Sequence, residues 1–139
     1  MVIAHGGEPN AVLRITNGER LGTHFSALIS PIESRKRYML AGAKTSRGIL
    51  KVDDGAVRAL LQGGSLLAVG VSAVKGRFDR GDAVRIIAQD GKEIATGLVN
   101  YTHEEMVRLC GHKSDEIESL LGYTFGDEIV HHNNMVFLV

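Results

Sequence analysis

Glycine is the residue that most constrains how this chain can fold. The sequence contains seventeen glycines, about 12% of its residues against roughly 7% in an average protein. They are spread along the chain at turn positions and form no glycine-rich tract. Together with short runs of β-branched and aliphatic residues, this spacing predicts many short strands joined by tight turns.

The charge of the chain is zero overall but uneven in its distribution. The stretch from residue 35 to residue 51 contains no acidic residue, and its basic residues are Arg35, Lys36, Arg37, Lys44, Arg47 and Lys51. The stretch from Ser114 to the end contains five carboxylates and neither Lys nor Arg. Two interpretations remain open. The basic stretch forms one charged face, or the two stretches complement each other across the fold.

A single cysteine, Cys110, excludes an internal disulfide framework and favours a reducing compartment. Its surroundings lack a His or Lys arrangement that would activate it, so we expect a buried, inert thiol. No apolar run approaches the roughly 20 residues of a membrane span, and no signal peptide follows Met1. The sequence therefore predicts a cytoplasmic protein with no membrane partner.

The first thirty residues read as a strand, a helix and a strand. Val2–Ala4 is apolar and ends in glycines, Pro9 is suited to a first helical turn, and Leu21–Leu28 follows as a second strand. No elements are present to cover both sides of this small unit. We therefore predict a remnant of another domain over residues 1–30 and a separate domain over residues 35–139.

The second stretch predicts a compact, mainly β domain with short helices. Asp53 and Asp54 are suited to cap a helix that ends at Gly63-Gly64, and a strand is expected over Leu66–Val74. Asp90-Gly91 lies between two apolar runs, which is the strongest short-range signal for a hairpin. Thr102 and Glu105 have the spacing of a capping box. Six or so short strands with small helices between them are typical of a mixed β-barrel of the α+β class.

Several sequence runs resemble the PUA domain, a small pseudo-β-barrel that accompanies RNA-modifying enzymes and glutamate 5-kinases. The matching runs are Val52–Leu61, Gly64–Leu67, Gly70-Val71 and Gly76–Asp82. Further runs resemble the glutamate 5-kinases in particular. They are Arg35–Gly42, Gly97–Tyr101, Ser114–Ile117 and Gly122-Tyr123, with Gly7–Asn10 and Leu21–Phe25 resembling the end of that family's amino-acid-kinase domain.

The resemblance implies a parent enzyme that phosphorylates L-glutamate with ATP and Mg²⁺, as the first step of proline biosynthesis, under feedback inhibition by proline. In this family the Lys clamps, the phosphate-binding glycine loop and the metal site lie upstream of these residues. Gly6-Gly7 is the one loop that resembles a phosphate cradle, and it lacks the Lys-Ser/Thr of a P-loop. We therefore expect no catalytic residue and no cofactor in this chain, and no kinase activity from it alone.

PUA relatives bind structured RNA near the first barrel helix, its glycine-rich exit and an adjacent strand. Carried over by position, the resemblance marks as candidate RNA contacts Lys44, Arg47, Lys51, Arg58, Gly63, Gly64, Ser65 and Gly70. The alternative is that the glycines serve helix and barrel geometry alone. The implied partners are the upstream kinase domain, a second copy within the parent enzyme, and RNA. The chain is thus expected to be a regulatory or assembly module, or an RNA-binding module that acts independently.

The histidines do not predict a metal site. His103, Cys110 and His112 lack a recognisable zinc spacing. The adjacent His131 and His132 are expected to point to opposite faces of a strand. A Cys–His nucleophilic pair is also not indicated, because nothing places a third orienting group.

Overall fold

The computed structural model describes residues 1–26, 31–43 and 48–138, and the chain divides into two compact units. Unit 1 comprises Met1–Pro31 and unit 2 comprises Ile32–Val139. The domain boundaries predicted from the sequence stay predictions. Lys44 and Arg47 lie outside the described residues.

Unit 1 is a small strand–helix–strand arrangement. Strand β1 (Val2–Ile3) pairs antiparallel with β2 (Thr23–His24), and helix α1 (Ala11–Thr16) lies between them in the sequence. None of residues 1–26 is buried. Ile3, Val12 and Leu13 each expose more than half of their surface. As described, this unit has no apolar core of its own.

Unit 2 is built from short strands and helices, and helix α2 (Pro31–Ala43) begins at the junction of the two units. Its strands are β3 (Gly48–Val52), β4 (Leu66–Leu67), β5 (Val71–Lys75), β6 (Ala83–Ile87), β7 (Glu93–Leu98), β8 (Glu128–Val130) and β9 (Met135–Phe137). Its other helices are α3 (Asp54–Leu61), α4 (His103–Leu109) and α5 (Ile117–Leu121). Three 3₁₀ turns cover Ala68–Gly70, Ser114–Glu116 and His132–Asn134.

The strands form one five-stranded sheet and one two-stranded ribbon. The order in the larger sheet is β5-β3-β6-β7-β9, in which β3 and β6 run parallel and all other neighbours run antiparallel. Strands β4 and β8 pair separately. The predicted mainly β fold with short helices is confirmed, although the described strands do not close into a complete barrel.

Local sequence signals determine where most elements begin and end. Asp53 caps α3 by accepting a hydrogen bond from the Ala56 N–H at 2.7 Å, and Thr102 and Glu105 form the predicted capping box of α4. The hairpin between β6 and β7 turns at Gly91, which has a φ of 88°. Phe78 is buried among the side chains of the core.

One predicted strand differs from the structure. The strand predicted over Leu66–Val74 is broken in two by the 3₁₀ turn Ala68–Gly70. The break occurs because the backbone of this turn is bound elsewhere. The Gly70 carbonyl accepts from the Asp53 N–H at 3.0 Å, and the Ala68 carbonyl accepts from the Gly111 N–H at 3.0 Å.

Tyr101 attaches the segment before β8 to the core. Its side chain is fully buried. Its hydroxyl donates to the Gly126 carbonyl at 2.6 Å and accepts from the Phe125 N–H at 2.9 Å. The Phe125 ring packs against the rings of Tyr101 and Tyr123, and the Arg80 guanidinium carbon lies 3.4 Å from its centroid. The fold therefore brings three aromatic rings together beside Arg80.

We predict that Tyr101→Phe lowers the free energy of unfolding by about 1–3 kcal/mol, because it removes the hydrogen bonds of the Tyr101 hydroxyl to the Gly126 carbonyl and the Phe125 N–H, each worth about 0.5–1.5 kcal/mol. Tyr123→Phe is the matched control, since the Tyr123 hydroxyl binds Glu105 in an exposed position. We expect that change to cost less than about 0.5 kcal/mol. Urea unfolding of the two variants measures the difference, and equal costs would contradict the role given to Tyr101.

Candidate nucleic-acid interface

The candidate surface begins where α3 ends in a glycine turn. The Gly63 N–H donates to the Leu60 carbonyl and the Gly64 N–H to the Ala59 carbonyl, both at 2.9 Å. Gly63 has a φ of 87°, a left-handed conformation that glycine adopts without steric cost. At Gly64 a Cβ atom would lie 2.8 Å from the Ala59 carbonyl oxygen. Helix termination therefore requires both glycines.

Beside this turn lies a shallow groove of about 300 Å³ between α3 and the β4 region. Its lining residues are Asp53, Gly55, Ala56, Ala59, Ser65, Leu67, Val69 and Gly70. Two of the predicted contacts, Ser65 and Gly70, are brought together here. Sequence reasoning missed Ala56 and Ala59 as part of this surface. Their spacing of three residues on α3 puts two small side chains on one helical face, which is the signal that could have found them.

Gly70 forms the floor of the groove by close approach to the helix. A Cβ atom at Gly70 would lie 2.6 Å from the Cβ atom of Ala56, far inside van der Waals contact. The Gly70 carbonyl also accepts the Asp53 N–H that precedes α3. The groove therefore has its present depth because neither facing position carries a large side chain.

The two described basic candidates, Lys51 and Arg58, do not line the groove. Lys51 is half-buried in β3, where its carbonyl accepts from the Ser72 hydroxyl at 3.1 Å. Arg58 is exposed on α3, and it forms no ion pair with any residue in the described ranges. Among the described lining residues Asp53 alone is charged, so this part of the groove is suited to neutral groups. Phosphate groups would have to contact cations outside it.

Ser65 connects the glycine turn to the C-terminal segment. Strand pairing aligns Leu66 with Val130 and so brings the 3₁₀ turn after β8 beside Ser65. The Ser65 hydroxyl accepts from the His132 backbone N–H at 3.0 Å and lies 3.4 Å from His132 Nδ1. The prediction that His131 and His132 point to opposite faces of a strand is wrong. They lie at a turn, and their ring centroids are 4.2 Å apart.

The Gly6-Gly7 loop is the loop whose sequence most resembles a phosphate cradle, and the absence of an ATP site stays a prediction. The Gly7 N–H donates to His5 Nδ1 at 3.2 Å, so this amide is not directed at a phosphate. Arg14 binds Glu8 and Glu19 at 3.2 and 2.5 Å. These residues do not fit a nucleotide phosphate, and we derive no reaction step through them.

Cys110 has the environment of a structural thiol. It is half-buried, its Sγ donates to the Val71 carbonyl at 3.0 Å, and burial raises the pKa of the thiol. A raised pKa lowers the thiolate fraction that nucleophilic chemistry requires. Within the described ranges, no group of three or more His, Cys, Asp or Glu residues is arranged to hold a metal ion. No helix in these ranges has the length and apolar character for crossing a bilayer.

The fold and the glycine-lined groove define the class of the protein. The sequence profile of the PUA domain family matches residues 48–121, which include β3, the glycine turn and α4. The chain belongs to the PUA domain family.

The most similar relatives that we compared are glutamate 5-kinases, and this chain matches one part of each. The chain is 47% identical over 139 residues to glutamate 5-kinase of Shewanella oneidensis and 46% identical over 139 residues to glutamate 5-kinase of Deinococcus radiodurans. Each match covers 99% of this chain, and the chain spans 37% and 38% of the two relatives. The predicted resemblance to the PUA-containing C-terminal region of glutamate 5-kinases is confirmed.

Among solved structures, the chain is similar to a PUA domain from Aeropyrum pernix K1 that was crystallised with tartrate. The sequence identity is 22% and the TM-score is 0.48. The match covers 72% of this chain and 48% of that one.

We predict that Gly70→Ala lowers the free energy of unfolding by about 1–3 kcal/mol, because its methyl group overlaps that of Ala56. Ala56→Gly alone should cost about 1 kcal/mol, as an alanine-to-glycine change in a helix. In the double variant the overlap is absent, so we expect a combined cost about 1–3 kcal/mol below the sum of the two single costs. Urea unfolding of the four proteins measures this coupling, and additive costs would show that the two positions do not meet.

Proposed function

We propose that this chain is the non-catalytic PUA module of a glutamate 5-kinase, which phosphorylates L-glutamate to L-glutamate 5-phosphate with ATP and Mg²⁺. In this proposal it acts in the cytoplasm as a regulatory or assembly module of an enzyme of proline biosynthesis. The observation that carries the proposal is the 47% identity to a glutamate 5-kinase across 99% of the chain. No residue of the candidate surface is assigned a catalytic role.

The exposed apolar side chains of unit 1 support a partner that covers them. Ile3, Val12 and Leu13 are 58%, 77% and 60% exposed. Burial of such side chains contributes roughly 25 cal/mol per Å² of apolar area, so leaving three of them in water forgoes several kcal/mol. We propose that the kinase segment of the parent enzyme provides this cover.

A chimeric enzyme tests the proposal. The region of the Shewanella oneidensis glutamate 5-kinase that matches this chain is replaced by this chain, and glutamate-dependent ADP release is measured with and without proline. The parent and a version that lacks the region are the controls. We expect the chimera to transfer phosphate, this chain alone to transfer none, and the shortened enzyme to change in proline response or in oligomeric mass.

Two results would contradict the proposal. Phosphoryl transfer by this chain alone would show that it is catalytic. A shortened enzyme that matches its parent in rate, proline response and mass would show that the module neither regulates nor assembles the enzyme.

The second candidate function is RNA binding at the glycine-lined groove. The observation that favours it is the exposure of groove residues that could contact a base or a sugar. Leu67 and Val69 are 39% and 48% exposed, and Arg58 is exposed on the adjoining helix without an ion pair to any described residue. In this proposal the groove receives neutral parts of the nucleotide, and Arg58 with Lys51, Lys44 and Arg47 contacts phosphates.

We predict that a fluorescein-labelled stem-loop RNA binds this chain with an affinity that falls steeply as salt rises. Arg58→Ala should weaken binding about threefold. It should also make the plot of log affinity against log salt concentration less steep by about one unit, the effect of one lost phosphate contact. Arg20→Ala is the matched control, because Arg20 is an exposed arginine of unit 1 and should leave both quantities unchanged. Fluorescence anisotropy measures the affinities. Equal effects of the two variants would show that the RNA does not contact α3.

A further inference from the structure

The five-stranded sheet carries the charged side chains of its strands on one face. The ionisable residues of these strands are Lys51, Lys75, Arg85 and Glu93. Lys75 and Arg85 both align with Ile49 of β3, so they project from the same face as Ile49, and Lys51 follows Ile49 by two positions. Glu93 lies on this face too, because its Oε2 is 3.6 Å from Arg85 Nη1. We call this surface, with its three cations and one carboxylate, the charged face.

Arg85 and Thr96 each place on the charged face a buried polar atom that lacks a partner. The two residues are directly opposed in the pairing of β6 with β7, which puts their Cβ atoms about 4.5–5.5 Å apart. Thr96 is fully buried. Among the described residues, neither its Oγ1 nor Arg85 Nε has a hydrogen-bond partner. Buried polar groups are nearly always hydrogen-bonded, because an unsatisfied one loses stability. The pair therefore indicates an acceptor that comes from outside these strands.

The Arg85 side chain is held loosely enough to admit a ligand. Its ion pair with Glu93 has a distance of 3.6 Å, and 38% of the side chain is exposed. An exposed pair of this length contributes little to stability. Rotation of the Arg85 side chain brings its Nε–H and the opposed Thr96 hydroxyl within reach of a small group from solvent.

The donors on the charged face fit a phosphate group. The guanidinium of Arg85 donates hydrogen bonds and accepts none, and its fork of N–H groups matches the spacing of two oxyanion oxygens. The Thr96 hydroxyl supplies one more donor. Lys51 and Lys75 form no ion pair with any residue in the described ranges, so their charge attracts an anion to this face.

We propose that Arg85 and Thr96 form a phosphate-binding site on the charged face, with Lys51 and Lys75 as the source of additional attraction. The site shares no residue with the lining of the glycine-lined groove. It also does not depend on the function proposed above. The phosphate group belongs either to a small phosphorylated molecule or to the backbone of an RNA.

A titration with inorganic phosphate tests the site. Amide NMR spectra of the whole chain are recorded as sodium phosphate replaces sodium chloride at constant ionic strength and pH. We expect saturable shifts of the amide signals of β6 and β7 around Arg85 and Thr96. Thr96→Val and Arg85→Gln should each weaken phosphate binding about tenfold or more, the effect of losing a hydrogen bond to a charged group.

The controls separate binding from folding. Valine has nearly the shape of threonine and removes an unsatisfied hydroxyl, so Thr96→Val should be at least as stable as the unaltered chain in urea without phosphate. A less stable variant would show that the hydroxyl has a structural partner and that the proposal is wrong. Thr23→Val is the matched control, because Thr23 is an exposed threonine of unit 1 and should leave phosphate binding unchanged.

Three further results would overturn the proposal. They are the absence of saturable shifts in the unaltered chain, shifts that chloride reproduces, which would show an adventitious ion only, and undiminished phosphate binding by Thr96→Val. Where the site is supported, adding the stem-loop RNA to the phosphate-bound chain identifies the source. Displacement of phosphate from Arg85 and Thr96 supports the site as a contact for an RNA backbone. Retention of phosphate supports it as a site for a small phosphorylated molecule.

Discussion

The parallel pairing of β3 with β6 is the constraint on which the rest of unit 2 depends. Gly48–Lys51 aligns with Val84–Ile87 in the same direction, so the chain between these strands has to cross back before it can pair. The crossover contains α3, the glycine turn, β4 and β5, and β5 returns antiparallel on the free side of β3. The candidate surface is formed within this crossover, because α3 and the 3₁₀ turn before β5 are held together by the hydrogen bond from the Asp53 N–H to the Gly70 carbonyl.

Local features of the fold could be predicted from the sequence, because the residues that cause them are neighbours in the chain. The Asp53 cap, the Thr102–Glu105 capping box and the Asp90-Gly91 turn each depend on contacts within three residues. The pairing of β4 with β8 could not be predicted in this way. Both strands are very short, and their alignment joins Leu66 to Val130 across more than half of unit 2. The break in the predicted strand after Leu67 also depends on a distant partner, the Gly111 N–H.

The parts of the candidate site that depend on neighbouring residues could also be predicted from the sequence, and the parts that depend on distant residues could not. The glycine turn follows from the helix stop, and the resemblance to PUA domains pointed to Ser65 and Gly70, which the fold places on one groove. The position of His132 depends on the pairing of β4 with β8, so no reading of nearby residues could have placed it beside Ser65. The sequence also could not show that the basic side chain of α3 would lie outside the groove. Arg58 lies on the same helix as Ala56 and Ala59 but is absent from the groove lining.

The glycines of this surface do not by themselves indicate a ligand. Gly64 and Gly70 are required by close contacts with Ala59 and Ala56, so a PUA domain that bound nothing would still need them. Residues that folding does not require are more informative about function. Val69 exposes about half of its surface beside the groove, at an energetic cost that a polar side chain would avoid. A test of function at this surface therefore has to alter its exposed apolar and basic side chains, because the fold already requires the glycines.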